Sequence, residues 1–407
     1  MTNAPCILGH IVFYGIMKNI CILGSTGSIG KNSLEVIRNF PDRYRAAYLT
    51  TNKNIDELHR QVRDFAPRAV AILDKAAAEE FRRFSSGPLK IFSGKEGLVE
   101  IVSQDDVDIV ISSLVGFAGL VPTIEAIKRG KTIALANKEA LVVAGNLITQ
   151  MVKKHGARLI PIDSEHSAIL QCLAGEDPGD IARLILTASG GPFLHLEKNH
   201  FHSVTVEDAL RHPNWKMGNK ITIDSATMMN KGFEVIEAHW LFSLPAEKID
   251  VLVHPQSIIH SMVEFVDGSI KAQLGIPDMK LPIQYALTWP ERVPSDFPRV
   301  DFSALHEMTF FKPDLRKFEC LQLAYDALRS GGTAPAVLNA ANEVAVEMFL
   351  TREIPFDTIP TLIRHALLQS SSGSSPTLDE IISADSETRR TTRQLAKPKT
   401  SPQKVSA

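Results

Sequence analysis

The chain reads Asn19-Ile20-Cys21-Ile22-Leu23-Gly24-Ser25-Thr26-Gly27-Ser28-Ile29-Gly30, where a short apolar run meets a glycine-rich turn. A helical pattern follows over Lys31–Asn39. Glycines at a strand-to-helix junction let backbone N–H groups approach a pyrophosphate at the helix N-terminus. The spacing is Gly-x-x-Gly-x-x-Gly rather than the commoner Gly-x-Gly-x-x-Gly, so a tight turn without a ligand is the alternative. Its position at the start of an alternating pattern favours a dinucleotide site.

Outward from this turn, residues 19–161 alternate short apolar runs with amphipathic segments such as Ile55–Asp64 and Leu120–Lys128. This alternation is typical of βαβ units and a mostly parallel sheet. The predicted strands are Asn19–Leu23, Arg45–Leu49, Ala69–Leu73, Asp108–Ile111, Thr132–Leu135 and Arg158–Pro161. We therefore predict an α/β fold in which residues 17–163 form a Rossmann-like, NADPH-binding domain.

The end of the second predicted strand bears on the choice of cofactor. An NAD site would place an acidic residue about 20 residues past the glycine loop. This chain has Thr50-Thr51-Asn52-Lys53-Asn54 there, so no acid repels a 2′-phosphate and Lys53 would attract one. The pattern favours NADP over NAD. The alternative is that Lys53 and Asn54 are only turn residues.

Polar residues also follow later strands, at the edge where parallel sheets bind ligands. Asn137, Lys138 and Glu139 come directly after Thr132–Leu135 and are candidates for the nicotinamide and substrate end. The alternative is a helix start in which Asn137 is the cap and Glu139 lies in the first turn. Both roles are compatible.

Three carboxylates suggest a metal site. Asp163 and Glu165 are two residues apart, so an extended backbone would point both the same way. Together with Glu234 they would offer three hard oxygen ligands, which suit Mg²⁺ or Mn²⁺ rather than zinc. The alternative for Asp-x-Glu at a strand end is a helix cap.

Residues 224–241 read as one helix that opens a binding site, with Asp224 as its N-cap and Ser225 beside its free N–H groups. Asn230, Lys231 and Glu234 would share one face of it. The opposite side would be anchored in a core by Met228, Met229, Val235 and Ile236. Gly232 inside the helix suggests a close approach to the backbone. The alternative is a surface helix with an ordinary Lys–Glu pair.

The region 164–288 is predicted to be a second, α+β catalytic domain. Its predicted strands are Arg183–Leu186, Ile221–Ile223, Val251–Val253 and a hairpin, Ile259–Phe265 with Ser269–Leu274. A turn after the first of these exposes Ser189. The segment 212–218, broken by Pro and Gly, reads as a mobile lid that would lay Trp215 over a ligand. The alternative for Trp215 is a domain-interface anchor.

Proline-rich residues 289–315 read as a linker, and residues 316–390 as a helical domain. The predicted helices are Cys320–Arg329, Pro335–Leu350, Asp357–Leu368 and one that starts with the capping box Thr377-x-x-Glu380. Polar Asn339, Asn342 and Glu343 lie on the second of these, and the sequence assigns them no role. From about residue 388 the chain turns basic and polar, and we expect a disordered tail at 391–407.

Composition excludes several classes of protein. The 407 residues carry 44 basic and 46 acidic side chains, so neither nucleic acid nor a membrane is an expected partner. Four scattered cysteines without a Cys-x-x-Cys motif suit a reducing cytoplasm. The apolar stretch Cys6–Met17 has no preceding Lys or Arg and makes a poor signal peptide. We therefore expect residues 1–16 to be an extension and Met17 to be the natural start.

Seven motifs, in order along the chain, resemble the 1-deoxy-D-xylulose 5-phosphate reductoisomerase family. They lie at residues 24–30, 135–139, 163–166, 189–193, 212–215, 229–234 and 254–257. The resemblance runs from about Met17 to about residue 390. One departure is Asn52, where the family often has Gly, and Asn tolerates left-handed backbone better than most residues.

The resemblance implies the second step of the non-mevalonate isoprenoid pathway. That family rearranges its ketose phosphate and reduces it with NADPH to 2-C-methyl-D-erythritol 4-phosphate. In the retro-aldol/aldol route favoured for the family, the C3–C4 bond breaks and the fragments rejoin before hydride transfer. The resemblance also implies Mg²⁺ or Mn²⁺, with Co²⁺ as a further possibility, a small sugar phosphate as substrate, and a homodimer.

Site residues carried over by the resemblance fall into three groups. Those implied for NADPH are Thr26, Gly27, Ser28, Ile29, Asn52, Lys53, Asn54, Asn137, Glu139 and Gly218. Those implied for the metal are Asp163, Glu165 and Glu234. Those implied for the substrate are Lys138, Ser164, Glu165, Ser189, His212, Trp215, Ser225, Asn230, Lys231 and Glu234, with Lys138, Glu165 and Glu234 as catalytic residues.

Two other classes of function stay open on the residues alone. A different NADP-dependent dehydrogenase is one, but a thioester-forming enzyme would need an exposed nucleophilic cysteine. Cys172 lies in the apolar helical stretch Ala168–Leu173 and suits a core position. A protein that senses NADPH without catalysis is the other.

Overall fold

A seven-stranded parallel sheet forms the first domain in the computed structural model, which describes residues 17–84, 87–215, 217–369 and 375–396. The strands are β1 (Lys18–Leu23), β2 (Tyr44–Thr51), β3 (Ala69–Ile72), β4 (Lys90–Ser93), β5 (Ile109–Ser112), β6 (Thr132–Leu135) and β7 (Arg158–Pro161). Their order is β4-β3-β2-β1-β5-β6-β7. The strand order reverses between β1 and β5, and this places a crevice at their carboxyl ends.

Helices cover both faces of this sheet. They are α1 (Ser28–Arg38), α2 (Ile55–Phe65), α3 (Lys75–Phe84), α4 (Gly94–Val102), α5 (Leu120–Lys128) and α6 (Lys138–His155). Strand β1 is buried on both sides: Cys21 and Leu23 belong to one core cluster, while Ile20 and Ile22 belong to the other. The predicted parallel domain is confirmed, and β4 is an edge strand that the sequence analysis missed.

A second, four-stranded sheet has the order β11-β10-β8-β9. Its strands are β8 (Ile181–Ala188), β9 (Ile249–Val253), β10 (Ile259–Phe265) and β11 (Ile270–Leu274). The helices of this region are α7 (Ser164–Cys172), α8 (Val206–Ala209), α9 (Asn219–Ala226), α10 (Met229–Phe242) and α11 (Lys280–Thr288). Helix α11 returns to the first domain, where Ile283 and Leu287 join the core cluster of Ile20 and Ile22.

Two predictions about this region are wrong. Residues Ile221–Ile223, predicted as a strand, lie inside α9. The single helix predicted from Asp224 to Leu241 is two helices, because Met228 adopts the left-handed conformation (φ 60°) between them. Asp224 is therefore buried in the last turns of α9 and is not an N-cap.

The remaining chain is an irregular segment followed by four helices. Residues 289–315 contain no regular helix, and Phe311 pairs with Val253 at the edge of β9. The four helices are α12 (Glu319–Ser330), α13 (Ala334–Leu350), α14 (Thr358–Leu368) and α15 (Leu378–Ala396). The expected disordered tail is corrected at its start, because α15 continues to Ala396.

Several sequence predictions fall on residues that the structure does not describe. They are the extension at 1–16, position 216 of the lid, and residues 397–407 of the tail. Among the helices that are described, none combines the length and apolar character needed to cross a membrane.

Candidate active site

One cavity of about 780 Å³ lies where the two sheets meet. Its walls are the glycine-rich turn, the turn after β5, the first residues of α6 and α7, the turn after β8, the lid segment and α10. The predicted site residues that line it are Gly27, Ser28, Ile29, Lys138, Glu139, Asp163, Ser164, Glu165, Ser189, His212, Trp215, Gly218, Ser225, Asn230, Lys231 and Glu234. Sixteen residues predicted from separate motifs therefore meet in one place.

The three predicted metal ligands come together in this cavity. Carboxylate oxygens of Asp163, Glu165 and Glu234 lie within 4.8 Å of one another. Asp163 is also the N-cap of α7, because its Oδ1 accepts a hydrogen bond from the backbone N–H of Glu165 at 3.2 Å. The helix-cap interpretation of Asp163 is thus confirmed, and the metal interpretation stays a prediction that is compatible with it. A set of three carboxylates fits a hard divalent cation such as Mg²⁺ or Mn²⁺.

Two buried ammonium groups neutralise these carboxylates. Lys138 donates to Asp163 in a close contact and lies 3.3 Å from Oε1 of Glu234. Lys231 donates to Oε1 of Glu165 at 2.7 Å and, more closely, to Glu234. Burial and the neighbouring Glu165 raise the pKa of Glu234 to about 7. Burial favours neutral Asp163, but the Lys138 ammonium prevails and holds the pKa of Asp163 well below its usual range.

Helix α10 carries two of these groups, Lys231 and Glu234, and is fixed from behind. Gly232 faces α12, and a Cβ atom built on Gly232 would lie 2.5 Å from the Cβ of Ala324. The predicted close approach to the backbone is confirmed, and the approaching group is this alanine. Asn230 is held on the cavity side, where its Nδ2 donates to Oε1 of Glu234 at 2.6 Å.

The opposite wall of the cavity holds a fixed imidazole. Nδ1 of His212 accepts from the backbone N–H groups of Asn214 (3.1 Å) and Trp215 (3.0 Å). Nε2 therefore carries the proton and lies 2.9 Å from Oγ of Ser189, to which it donates. Burial lowers the pKa of His212 to about 4, so the ring is neutral at physiological pH.

The glycine-rich turn forms the far end of the cavity. Gly24 has a φ of +88°, and a Cβ on Gly30 would lie 2.4 Å from the carbonyl oxygen of Gly24. Buried Gln61 on α2 accepts from Ser25 Oγ (2.7 Å) and donates to Ser25 O (2.9 Å). These bonds fix the turn, which can then present backbone N–H groups to an anion.

Comparison with known proteins decides the family. Family models described as 1-deoxy-D-xylulose 5-phosphate reductoisomerase match residues 20–145 and, for the C-terminal domain, 159–242, and a model described as DXP reductoisomerase C-terminal domain matches 274–391. The reductoisomerase of Chloroherpeton thalassium is 57% identical over 375 residues, which are 92% of this chain and 97% of the relative. The chain belongs to the 1-deoxy-D-xylulose 5-phosphate reductoisomerase family.

Solved structures of reductoisomerases share the fold. The enzyme from Zymomonas mobilis in complex with NADPH is 41% identical, with a TM-score of 0.87 over 94% of this chain and 100% of that one. Another reductoisomerase, in complex with NADPH, fosmidomycin and magnesium, is 42% identical, with a TM-score of 0.90 over 93% of this chain and 98% of that one.

Five residues that the resemblance assigned to NADPH do not line the cavity: Thr26, Asn52, Lys53, Asn54 and Asn137. Asn54 caps α2 through Glu57 N at 3.2 Å, and the side chain of exposed Lys53 lies 3.6 Å from Asp74. The contacts of Lys53 and Asn54 are therefore those of turn residues, as the alternative interpretation predicts. Asn52 is not among the described residues with positive φ, so its replacement of Gly needs no left-handed backbone.

The side chain of Asn137 holds a neighbouring turn. It caps α6 through Ala140 N at 3.1 Å, as the helix-start alternative predicts. Its Nδ2 also donates to the carbonyl oxygens of Leu114 (2.7 Å) and Gly116 (3.0 Å). This residue thus shapes the turn after β5, which does line the cavity.

Sequence reasoning missed two groups behind the carboxylates. His166 donates from Nε2 to the carbonyl oxygen of Glu234 (2.9 Å), and its Nδ1 lies 3.3 Å from Asp163 and 3.7 Å from Glu237. Burial alone would lower the pKa of His166, but the carboxylates of Glu237 and Asp163 raise it to about 9. Burial raises the pKa of Glu237 to about 8. The available signal was an acid three residues after Glu234 on a helix with an apolar surface.

The sequence analysis also missed the contact that holds the lid segment. Asn214 donates from Nδ2 to the carbonyl oxygen of Pro255 (2.6 Å) and to Oγ of Ser257 (3.0 Å). The indole of Trp215 lies beside the ring of His260, with 6.3 Å between centroids. The lid is therefore attached to the second sheet in this structure.

Proposed function

We infer that one cavity carries out both halves of the family's reaction. The chain is an NADPH- and divalent-metal-dependent enzyme that rearranges and reduces 1-deoxy-D-xylulose 5-phosphate to 2-C-methyl-D-erythritol 4-phosphate in the non-mevalonate pathway. The observation that supports a shared site is the position of the three-carboxylate cluster and the glycine-rich turn on one cavity. A rearranged aldehyde formed there could be reduced before it escapes.

We assign the metal to Asp163, Glu165 and Glu234. When bound, Mg²⁺ or Mn²⁺ supplies a Lewis acid that polarises oxygen atoms of the substrate. The charges on the protein support this assignment, because Lys138 and Lys231 now provide the two positive charges that one divalent cation would provide. Binding of the cation would free these ammonium groups to face the substrate.

Lys138 is the proposed catalytic cation. Burial favours neutral Lys138, yet Asp163 and Glu234 raise its pKa well above the usual value. Its Nζ therefore keeps a proton and can donate a hydrogen bond to a substrate oxygen that gains negative charge. Ser164, at the first position of α7 beside the cluster, is proposed to contact the same part of the substrate.

We assign the substrate phosphate to five polar residues that line the same cavity. This set is Ser189, Ser225, Asn230, Lys231 and His212. Neutral His212 donates through Nε2 to Ser189 and so orients its hydroxyl group. Remote binding of the phosphate would hold the reacting carbons in place, while Trp215 and the lid exclude water.

NADPH is proposed to span the cavity from Gly27, Ser28 and Ile29 to Glu139 and Gly218. Support comes from the fixed turn at one end and from the proximity of α6 to the carboxylates at the other. Thr26, Asn52, Lys53, Asn54 and Asn137 border this path, and we propose that Lys53 contacts the 2′-phosphate from outside the cavity.

Product analysis tests the function. Purified protein incubated with 1-deoxy-D-xylulose 5-phosphate, NADPH and Mg²⁺ should form 2-C-methyl-D-erythritol 4-phosphate by mass spectrometry. A simple dehydrogenase would instead yield a reduced but unbranched sugar phosphate. Binding of NADPH without any product would favour the sensor alternative.

The second sheet supports a homodimer. Helices α7 and α10 pack on the face that carries Leu184 and Val263. The opposite face carries Arg183, which pairs with Asp250 (2.6 Å) and Glu264 (2.7 Å). Met262 and Leu252 are only partly buried on this face. The chain around Phe311 also exposes apolar side chains, namely Phe302, Met308, Phe310 and Leu315. We propose that two copies associate through this face.

Light scattering would test the dimer. The wild type should have twice the mass of one chain, and Leu252→Lys with Met262→Lys should yield monomers. Leu395→Lys, a matched change on the exposed surface of α15, should leave the mass unchanged. A monomeric wild type would contradict the proposal.

A cytoplasmic location is also proposed. Cys21, Cys172 and Cys320 are buried free thiols, as expected in a reducing compartment. Burial raises the pKa of Cys172 to about 11, which suits the predicted core role rather than a nucleophile.

A further inference from the structure

Helix α13 of the C-terminal bundle reaches the turn after β5 through Glu343. Oε1 of Glu343 accepts from the backbone N–H of Phe117 at 3.1 Å, and Oε2 accepts from Arg389 on α15 at 2.7 Å. A Cβ on Gly116, whose φ is +74°, would lie 2.8 Å from the same carboxylate. The turn thus fits closely around a carboxylate that belongs to another domain.

This turn forms one wall of the cofactor half of the cavity. Ser113, Leu114 and Val115 line the cavity directly after the carboxyl end of β5, beside the strand that leads into the glycine-rich turn. Asn137 holds the turn from the side of the first domain, through Leu114 O and Gly116 O. Glu343 holds it from the other side, so the turn is clamped between two domains.

The neighbouring residue, Asn342, reaches a second part of the cavity wall. It is fully buried, and its Nδ2 donates to Oδ1 of Asp224 at 2.8 Å. Oδ2 of Asp224 binds Lys220 at 2.8 Å, and Lys220 binds Oε1 of Glu139 at 2.7 Å. Lys220 and Glu139 both line the cavity. A buried chain of polar contacts therefore connects α13 to the start of α9 and to α6.

We propose that Asn342 and Glu343 are positioning residues for NADPH: as adjacent residues of one helix, they fix the turn after β5 relative to Lys220 and Glu139. The proposal rests on the assignment of NADPH to this half of the cavity. A pocket whose walls are already ordered binds its ligand more tightly, because less ordering is required on binding. The helical domain thereby acts on cofactor affinity without a contact to the cofactor.

The ordinary alternative is that these residues only hold the domains together. The chain offers a control on the same two helices, since Glu347 and Arg393 form a more exposed ion pair (2.5 Å) about one turn further along. The described contacts of this pair reach no residue of the cavity. Because an exposed pair contributes less to stability, loss of cohesion between α13 and α15 is measured for each variant as its free energy of unfolding in urea.

Binding measurements on the full-length protein separate the two explanations. Kd for NADPH, followed by fluorescence, should rise about three- to thirtyfold for Glu343→Ala and for Asn342→Ala, the range found for changes that alter coupling between sites. KM for 1-deoxy-D-xylulose 5-phosphate at saturating NADPH should change less than twofold. Glu347→Ala should leave both constants unchanged.

Equal NADPH affinities for Glu343→Ala, Asn342→Ala and Glu347→Ala would overturn the proposal. If Glu343→Ala does not fold, Glu343→Gln keeps an oxygen for Phe117 N–H and removes the charge that faces Arg389. It should still weaken NADPH binding and raise hydrogen exchange at the Phe117 amide, whereas Glu347→Gln should do neither. A wild type that binds no NADPH would refute the proposed function instead, so the two failures are distinct.

Discussion

The two ends of the cavity are built from different interactions. At the cofactor end, the turn around Gly24 is held by neutral hydrogen bonds from Gln61 and by backbone contacts that admit no Cβ on Gly30. At the catalytic end, Lys138 and Glu234 belong to a buried cluster of opposite charges. The first end is held in shape by neutral contacts, and the second by a balance of charge.

This difference predicts unequal sensitivity to substitution. A neutral hydrogen bond contributes about 0.5–1.5 kcal/mol net. Removing one member of a buried ion pair leaves an uncompensated charge, which typically costs about 3–5 kcal/mol. Changes at the catalytic end should therefore have larger effects than changes at the cofactor end.

The largest effect is expected from loss of the metal. A chelator or Glu234→Gln should lower kcat at least about 10²–10³-fold, because the Lewis acid is lost. NADPH affinity by calorimetry should change less than about threefold. Added Mg²⁺ or Mn²⁺ should restore the chelated wild type but not the variant. Simultaneous loss of NADPH binding would mean that the two ends are not separate.

Next in size is the substrate ammonium group. Lys231→Ala should raise KM for the sugar phosphate by about 10- to 150-fold, or roughly 1.5–3 kcal/mol for a charge-assisted bond. NADPH affinity should stay nearly constant. Lys271→Ala removes an exposed Lys–Glu pair of the same domain and should change neither constant. If Lys231→Ala loses NADPH binding and retains substrate binding, the assignment of Lys231 to the substrate is wrong.

Cofactor choice should have a smaller effect. NADPH should be preferred over NADH by at least about tenfold in kcat/KM, roughly 1.4 kcal/mol, because residues 50–54 contain no acid and Lys53 offers a positive charge to the 2′-phosphate. Lys53→Ala should lower kcat/KM for NADPH and leave kcat/KM for NADH unchanged, so that the ratio of the two values falls. Steady-state kinetics with both cofactors measure it, and equal values for the wild type would contradict the assignment.

The smallest effect is expected at the glycine-rich turn. Gln61→Ala should weaken NADPH binding only a few-fold, while the free energy of unfolding in urea falls by about 1–3 kcal/mol, the cost of removing the donor from the buried carbonyl oxygen of Ser25. Gln104→Ala, at a half-buried glutamine whose side chain donates to Glu100 O at the end of α4, is the control. A hundredfold loss of NADPH affinity would show that shape at this end matters as much as charge at the other.

Local sequence signals predicted the cofactor domain well. Apolar runs and glycine spacing located six of its seven strands, because buried parallel strands are continuous apolar segments. Strand β4 escaped because its apolar run is only Ile91-Phe92, of which Phe92 alone is buried, between Lys90 and Ser93. Two apolar residues do not form a pattern that distinguishes a strand from a loop.

Tertiary contacts explain the errors around the catalytic helix. Ile221-Thr222-Ile223 has β-branched side chains that favour a strand, but burial of α9 overrides this propensity. The break at Met228 is marked by neither Gly nor Pro, and nothing local announces a left-handed residue there. Glu237 and the Asn342–Glu343 contacts required the packed structure, since their partners lie far away in sequence.

The double role of Asp163 has a practical consequence. Asn caps helices about as well as Asp, so Asp163→Asn should keep the first turn of α7 while it removes one negative charge from the proposed metal site. Such a variant would be inactive but would keep its fold. It would suit experiments that trap the substrate and cofactor together, which an active enzyme would consume.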